Sequence, residues 1–250
     1  MKRVNNKIVI SSILIILIFL SIGSFVLLQK QNNQIEKRKN EFDTFFAQWN
    51  VFGIDISKHQ GKIDWNNVDL IFEEHKIHFT FIRATYGNTK VDKFFKQNWN
   101  AKKNPRIICG AYQYYRPNQN SLKQAQLFIN TVKLKKGDLP PIIDIEEKPT
   151  NQSMKSLKIG MQKWLDKIEK HYGVKPIIYS NKTFYENFLR TEFKDYPLWI
   201  ANHNATMKPT NYNWKFWQYS THGKVNGING SVDINVFNGS AEELKDLCIK

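Results

Sequence analysis

Asp144 and Glu146 are the residues best placed in this sequence to do chemistry. They interrupt the apolar run Leu139-Pro140-Pro141-Ile142-Ile143-Asp144-Ile145-Glu146-Glu147. Two prolines break the chain ahead of the run. The run is too short for a helix, so it reads as a buried strand. Side chains two apart on a strand share a face, which sets Asp144 and Glu146 together and puts Ile143 and Ile145 opposite. Burying one carboxylate is costly, and a second beside it disfavours joint ionisation. A buried pair of this kind keeps a proton near neutral pH, as general acid catalysis requires. The plain alternative ends the strand here with both acids in solvent.

The elements that must position this pair follow a repeating order. Strands are expected over Val51 to Ser57, Phe79 to Thr85, Arg106 to Tyr115, the Asp144 run, Lys175 to Ser180 and Tyr196 to Ala201. Between them, helical spacing covers Trp65 to His75, Asp92 to Lys103, Ser121 to Lys133, Ser153 to Tyr172 (stopped at Gly173) and Lys182 to Arg190. Trp214 to Ser220 and Val232 to Phe237 then read as strands joined by a Gly/Asn-rich turn, Gly223 to Gly230, with no long helix between them. Strands alternating with helices predict a parallel sheet with right-handed crossovers. About five such units followed by extra strands predict a modified (β/α) barrel, in which functional residues collect where strands end. Asp55, Arg83, Tyr112, Tyr114, Tyr179 and the Asp144–Glu146 pair all fall near predicted strand ends.

Composition narrows the partners. The chain has 250 residues and a formal charge of +15. Met1 to Lys7 is short and basic, and residues 8–29 carry no charge and are mostly Ile, Leu, Val, Phe and Ser. That length can span a bilayer as a helix, and basic residues ahead of it predict a cytoplasmic N-terminus. Cleavage near Ser21-Ile22-Gly23, which would release a secreted form, is the lesser alternative. Residues 30–48 read as a polar stalk and 49–250 as one domain. Beyond Lys30 there are 33 basic against 22 acidic residues. Such a surface suits anionic wall polymers or lipid headgroups, while no zinc-finger spacing or basic-aromatic signature points to nucleic acid. Cys109 and Cys248 fit either one disulfide or two lone thiols. The six histidines form no ligand pair, so no metal or cofactor is expected.

Several short stretches, in order, resemble one family. They are Phe52-Gly53-Ile54-Asp55-Ile56-Ser57-Lys58-His59-Gln60-Gly61, then Phe81-Ile82-Arg83-Ala84-Thr85 with Gly87, then Gly110-Ala111-Tyr112-Gln113-Tyr114. Asp144-Ile145-Glu146, Leu198-Trp199-Ile200-Ala201, Trp217-Gln218-Tyr219-Ser220 and Val232-Asp233-Ile234-Asn235 complete the set. Over residues 51–238 the sequence resembles the glycoside hydrolase family 25 lysozymes, the Chalaropsis-type N-acetylmuramidases. The resemblance departs at Tyr86, where many relatives carry glutamate, and at Gln113, where many carry histidine.

The resemblance implies a flattened barrel with an acidic groove and cleavage of the β-1,4 bond between N-acetylmuramic acid and N-acetylglucosamine in peptidoglycan. By the same resemblance Glu146 is the general acid, and Asp144, Asp55 and Asp233 are the groove's other acids. Two routes stay open. In one, Asp144 assists attack by the substrate's own N-acetyl oxygen, with retention; in the other, Asp55 or Asp233 activates water, with inversion. Tyr114, Tyr179, Trp199 and Trp217 are candidate sugar-stacking platforms, and each fits ordinary core as well. Tyr112 and Gln218 are grouped with them. Arg83 suits a substrate carboxylate or an ion pair with Asp55 or Asp144. Asp233 also suits a plain turn cap. The expected protein is a single-pass, membrane-anchored, monomeric peptidoglycan hydrolase with its catalytic domain outside the cytoplasm. A glycosidase for another N-acetyl glycan such as chitin, or a peptidoglycan-binding module without turnover, are the alternatives.

Overall fold

The computed structural model describes residues 6–47, 49–101, 107–203 and 212–250, with the side chains of 6–16 and 41–46 outside the described set. The chain forms two compact units, Met1–Ala47 and Gln48–Lys250.

The first unit is one helix, α1 (Asn6–Phe46). It runs through both the expected span and the stalk. Its apolar side chains from Leu17 to Leu28 are exposed. Among the described residues no helix is long and apolar enough to cross a membrane. The side chains of the first half of the expected 8–29 span lie outside that set.

The second unit is built on β1 (Phe52–Ile56), β2 (Leu70–Ile71), β3 (His75–Tyr86), β4 (Lys90–Val91), β5 (Ile108–Tyr114), β6 (Ile142–Asp144), β7 (Ile177–Asn181), β8 (Leu198–Ala201), β9 (Trp214–Gly223) and β10 (Val232–Phe237). Its helices are α2 (Phe95–Ala101), α3 (Ser121–Thr131), α4 (Met154–Tyr172), α5 (Lys182–Phe184), α6 (Arg190–Phe193) and α7 (Ala241–Leu247), with a π-turn over Tyr185–Leu189 between α5 and α6. Strands β1, β3, β5, β6, β7, β8 and β9 pair side by side in parallel. Strand β10 runs antiparallel between β9 and β1 and closes the sheet into an eight-stranded barrel. The alternation of strands and helices therefore produces the expected mixed α/β barrel.

One expected element is absent. Trp65 to His75 is not a helix but a turn leading into β2, which pairs antiparallel with the start of β3. Asp64 accepts from Asn66 N (3.2 Å) and Asn67 Nδ2 (2.8 Å), which favours a turn over a helical start. Phe72 and Glu73 then take left-handed backbone (φ 49° and 65°) to reverse the chain. The apolar spacing of Trp65, Val68 and Ile71 reflects three side chains buried under one turn. The first strand-to-strand link thus has no α-helix, only a 3-10 turn over Lys58–Gln60, and four of the parallel links carry helical segments. Helix α7 was not anticipated. Its signal is a Ser-x-x-Glu capping box, in which Ser240 N donates to Glu243 Oε2 at 2.7 Å and Glu243 N to Ser240 Oγ at 3.2 Å.

The barrel interior is layered. Alternation points Phe79, Phe81 and Arg83 of β3 inward in succession, and Phe216 and Gln218 of β9 likewise. The lower layer is aromatic: Phe81 lies 5.2 Å from Phe79, 5.0 Å from Phe216 and 4.4 Å from Trp199, centroid to centroid. Glycine makes room for these rings. A Cβ on Gly53 would meet Phe79 at 2.4 Å, and one on Gly110 would meet Phe81 at 2.8 Å. This packed floor leaves the polar inward residues at the upper, C-terminal rim. Cys109 and Cys248 are two separate buried thiols, donating to Ile107 O (3.6 Å) and Leu244 O (3.3 Å), rather than a disulfide.

Candidate active site

Above the aromatic layer lies a cavity of about 270 Å³ at the C-terminal ends of the parallel strands. Asp55, Asp144, Glu146 and Asp233 all line it. The carboxylates fall into two contacting pairs, Asp55 with Asp233 and Asp144 with Glu146.

The first pair is set by register. Asp55 on β1 stands directly opposite Asp233 on β10. Asp55 Oδ2 accepts from Gln218 Nε2 and from Asn235 Nδ2, each at 2.8 Å. Burial pushes the Asp55 carboxyl upward, and these two amide donors pull it back. Asp233 is pushed up to about 9, first by burial and then by the neighbouring Asp55 charge. Of the two, Asp233 is the one pushed further toward its protonated form.

The second pair sits where β6 ends. The strand stops at Asp144, yet the extended course continues, with Tyr115 N bonded to Asp144 O (2.8 Å) and Ile145 N to Tyr179 O (3.0 Å). Asp144 and Glu146 therefore project together as alternation predicts, and the solvent-exposed alternative is set aside. Asp144 is buried, and Oδ1 has no hydrogen-bond partner. Burial raises the Asp144 carboxyl well above the usual range, with Glu146 and Asp55 adding to the effect and Arg83 opposing it. Burial also raises Glu146, while hydrogen bonds from Asp144 and Asn181 work against the rise. Burial therefore favours the proton of this pair on Asp144, which is hydrogen-bonded to Glu146. Depth of burial is the reason, since Asp144 lies inside the strand and Glu146 past its end.

Other expected site residues divide. Arg83 lines the cavity, but its Nε donates to Asp92 Oδ2 at 2.9 Å rather than to Asp55 or Asp144. Asp92 also accepts from Lys58 N (2.9 Å) and Phe94 N (3.0 Å), so it ties the turn after β1 to the rim of β3. Tyr112, Tyr114 and Tyr179 line the cavity. Tyr114 Oη donates to Glu147 (2.7 Å), and Tyr179 Oη donates to Gln218 Oε1 (2.9 Å). Trp199 is 1% exposed and donates Nε1–H to Asn235 Oδ1 at 2.8 Å. It is chiefly core, with one edge on the cavity wall. Trp217 does not belong to the site. It lies on the face of β9 opposite Gln218, is 1% exposed, and donates to Asn202 O at 2.8 Å.

The two departures from the family pattern differ in meaning. Gln113 is fully buried behind the wall, accepting from Trp164 Nε1 (2.6 Å) and donating to Gly87 O (2.8 Å). It faces no substrate. Tyr86 stacks on Tyr114 at 5.0 Å and receives a hydrogen bond from Arg116, so it shapes the rim. Asn235, His203, Asn181 and Asp92 are site residues that the sequence reading missed, and no local signal marks the last three. Asn235 carried a readable signal, since it shares a strand face with Asp233. Among the described residues no group of three or more His, Cys, Asp or Glu side chains is arranged to hold a metal ion.

Proton-sharing carboxylates in a cleft of this size suit acid-catalysed cleavage of a glycosidic bond. Comparison with known proteins points the same way. A family model described as glycosyl hydrolases family 25 matches residues 54–228. The chain is 42% identical over 202 residues to the Escherichia coli protein YegX, covering 80% of this chain and 74% of that protein. It is 32% identical over 185 residues to an autolytic lysozyme of Clostridium acetobutylicum, covering 74% of this chain and 55% of that protein. The solved structure of a family 25 glycosyl hydrolase from Bacillus anthracis superimposes with a TM-score of 0.71 at 31% identity, covering 80% of this chain and 94% of that one.

The buried pair has a cost in stability. Asp144 holds a proton in the folded state that the unfolded chain releases above its ordinary pKa of about 4. Folding at pH 7 must take that proton up, and the penalty vanishes once the unfolded carboxyl is also protonated. Asp144→Asn is therefore expected to raise the melting temperature at pH 7 by about 4 °C or more. The gain should shrink to nothing as the pH falls below about 4. Circular dichroism melts across that range check it, and a variant less stable than wild type at pH 7 would contradict the assignment.

Proposed function

The chain belongs to glycosyl hydrolases family 25 and is a lysozyme-type peptidoglycan hydrolase, and we propose that it cleaves the β-1,4 bond between N-acetylmuramic acid and N-acetylglucosamine with Glu146 as general acid and Asp144 assisting the substrate's N-acetyl group. The observation that carries this reading is Asp144 Oδ1, a buried oxygen without a partner beside the proton it shares with Glu146. An unsatisfied buried acceptor costs about 1–3 kcal/mol. An amide N–H from an N-acetyl sugar would relieve that cost.

The steps follow from proton positions. The substrate N–H donates to Asp144 and favours its ionised form, so the shared proton moves to Glu146. Glu146 gives that proton to the leaving glycosidic oxygen. As the C1–O bond breaks, the N-acetyl carbonyl oxygen bonds to C1 from the opposite face, and Asp144 stabilises the positive charge on the amide nitrogen. Water then loses a proton to Glu146 and adds to C1, breaking the bond to the N-acetyl oxygen. Two displacements return the anomeric configuration to its start. The competing route needs Asp55 or Asp233 as a base for water. The two amide donors already on Asp55 Oδ2 favour the assisted route.

We also propose that residues 8–29 anchor the protein in the cytoplasmic membrane with the hydrolase outside. The supports are the uncharged run, the continuous helix α1 and its exposed apolar surface. After cell fractionation the full chain should stay with membranes washed in alkaline carbonate and leave them only with detergent. Release by carbonate alone would refute the anchor.

The activity is tested on purified peptidoglycan, by mass spectrometry of fragments after borohydride reduction. Wild type should release fragments ending in reduced N-acetylmuramic acid. Glu146→Gln should be slower by about 10²–10⁴-fold. Fragments ending in reduced N-acetylglucosamine, or equal rates for both proteins, would contradict the assignment.

A further inference from the structure

The Asp55–Asp233 pair is built more rigidly than a pair of groove acids needs to be. Two amides face Asp55, and their orientations are forced. Trp199 Nε1–H, which can only donate, points at Asn235 Oδ1 (2.8 Å), so Asn235 turns its Nδ2 to Asp55 (2.8 Å). Gln218 Oε1 accepts from Tyr179 Oη (2.9 Å) and contacts His203 Nε2 (3.1 Å), so Gln218 also turns its amide Nε2 to Asp55 (2.8 Å). Both N–H groups converge on one oxygen, Asp55 Oδ2. Two convergent donors favour the ionised form of that carboxylate. Asp233 lies directly across the β1–β10 register and is hydrogen-bonded to Asp55. Two touching, buried carboxylates do not both ionise.

We infer that Asp55 and Asp233 act as one unit holding a single proton, Asp55 as a fixed negative charge in the cavity wall and Asp233 as a neutral carboxylic acid whose O–H goes to Asp55 and whose carbonyl oxygen is left to accept from the substrate. This rests on the glycan-cleaving reading above for the identity of the substrate. Neither residue then serves as a base for water. The fixed charge on Asp55 stabilises the cationic centre that develops at the anomeric carbon. Asp233 recognises a hydroxyl or amide donor of the sugar without adding a second negative charge. Tyr179 and Trp199, first read as stacking platforms, become positioning residues that orient the amides holding Asp55 ionised.

The surroundings agree with this division. Asp55 and Glu146 both oppose ionisation of Asp233. Asp144 shares the same cavity from β6, Arg83 from β3 brings a positive charge to it, His203 beyond β8 also lines it, and Tyr112 and Tyr179 stay neutral because burial holds their hydroxyls protonated. Asp233 therefore stays neutral until the pH rises through about 9.

Asparagine mimics each partner differently. At position 233 it keeps a donor for Asp55 and a carbonyl for the groove; at position 55 it removes the charge. Expected for the full chain is a loss in kcat/KM at least about tenfold smaller for Asp233→Asn than for Asp55→Asn or Asp233→Ala. The alkaline fall of wild-type activity near pH 9 should be absent in Asp233→Asn. Infrared difference spectroscopy of wild type against Asp233→Asn gives a readout without any substrate. At pH 7 it should show the carbonyl stretch of a protonated carboxylic acid, missing from the variant. A spectrum with only ionised carboxylates would overturn the inference, and so would an Asp233→Asn variant as impaired as Asp55→Asn. Failure of wild type to cut peptidoglycan would sink the muramidase reading instead and leave the infrared result to decide this one.

Discussion

Four carboxylates share one small cavity, and their burial away from water does not permit four charges. That constraint governs the upper half of the barrel. The site meets it by pairing the acids, so that each pair keeps a proton, and by spending the available N–H donors unevenly. Asp55 receives two amides, whereas Asp144 Oδ1 receives nothing. The asymmetry gives the acids different roles although their chemistry is the same. One anion is fixed in place, and one proton is left free to move between Asp144 and Glu146.

The lower half of the barrel makes this arrangement possible. Phe79, Phe81 and Phe216 fill the floor, and glycines at 53 and 110 let the rings close against the backbone. A dry floor excludes water from beneath the acids, which keeps their desolvation large. The same ring layer runs up through Trp199 and Tyr179, whose polar atoms fix the amides around Asp55. Packing and electrostatics are therefore joined through two aromatic residues that serve both. Outside this core, Asp92 gathers Arg83, Lys58 N and Phe94 N, and so fastens the first loop to the rim.

Much of this was legible in the sequence, and the parts that were not have physical reasons. The period of two exposed Asp144 and Glu146 as a same-face pair, and alternation of strands with helices gave the barrel. Local patterns failed where burial copied another period. Trp65, Val68 and Ile71 have helical spacing because they are buried under one turn, and Asp64 with its two asparagine donors overrides it. Trp217 looked like a platform, yet its place on the outer face of β9 follows from its neighbour Gln218 pointing inward. Contacts made by barrel closure were out of reach. Asn235 meets Asp55 across 180 residues of chain, and no local pattern reports which strands will close the sheet. The order of protonation was hidden for a similar reason, since the strand ends at Asp144 and depth of burial belongs to the fold.

The stereochemistry of cleavage tests the central claim most directly, because the proton-shuttling pair and the absence of a free base for water both lead to the same outcome. The measurement is proton NMR of the anomeric signal during the first minutes of digestion of a soluble peptidoglycan oligomer, before mutarotation blurs it. The β-anomer appearing first, with retention, is the result expected from Asp144-assisted attack by the N-acetyl group. The α-anomer appearing first would mean direct displacement by water, and would contradict both the role given to Asp144 and the single-proton state of Asp55 and Asp233.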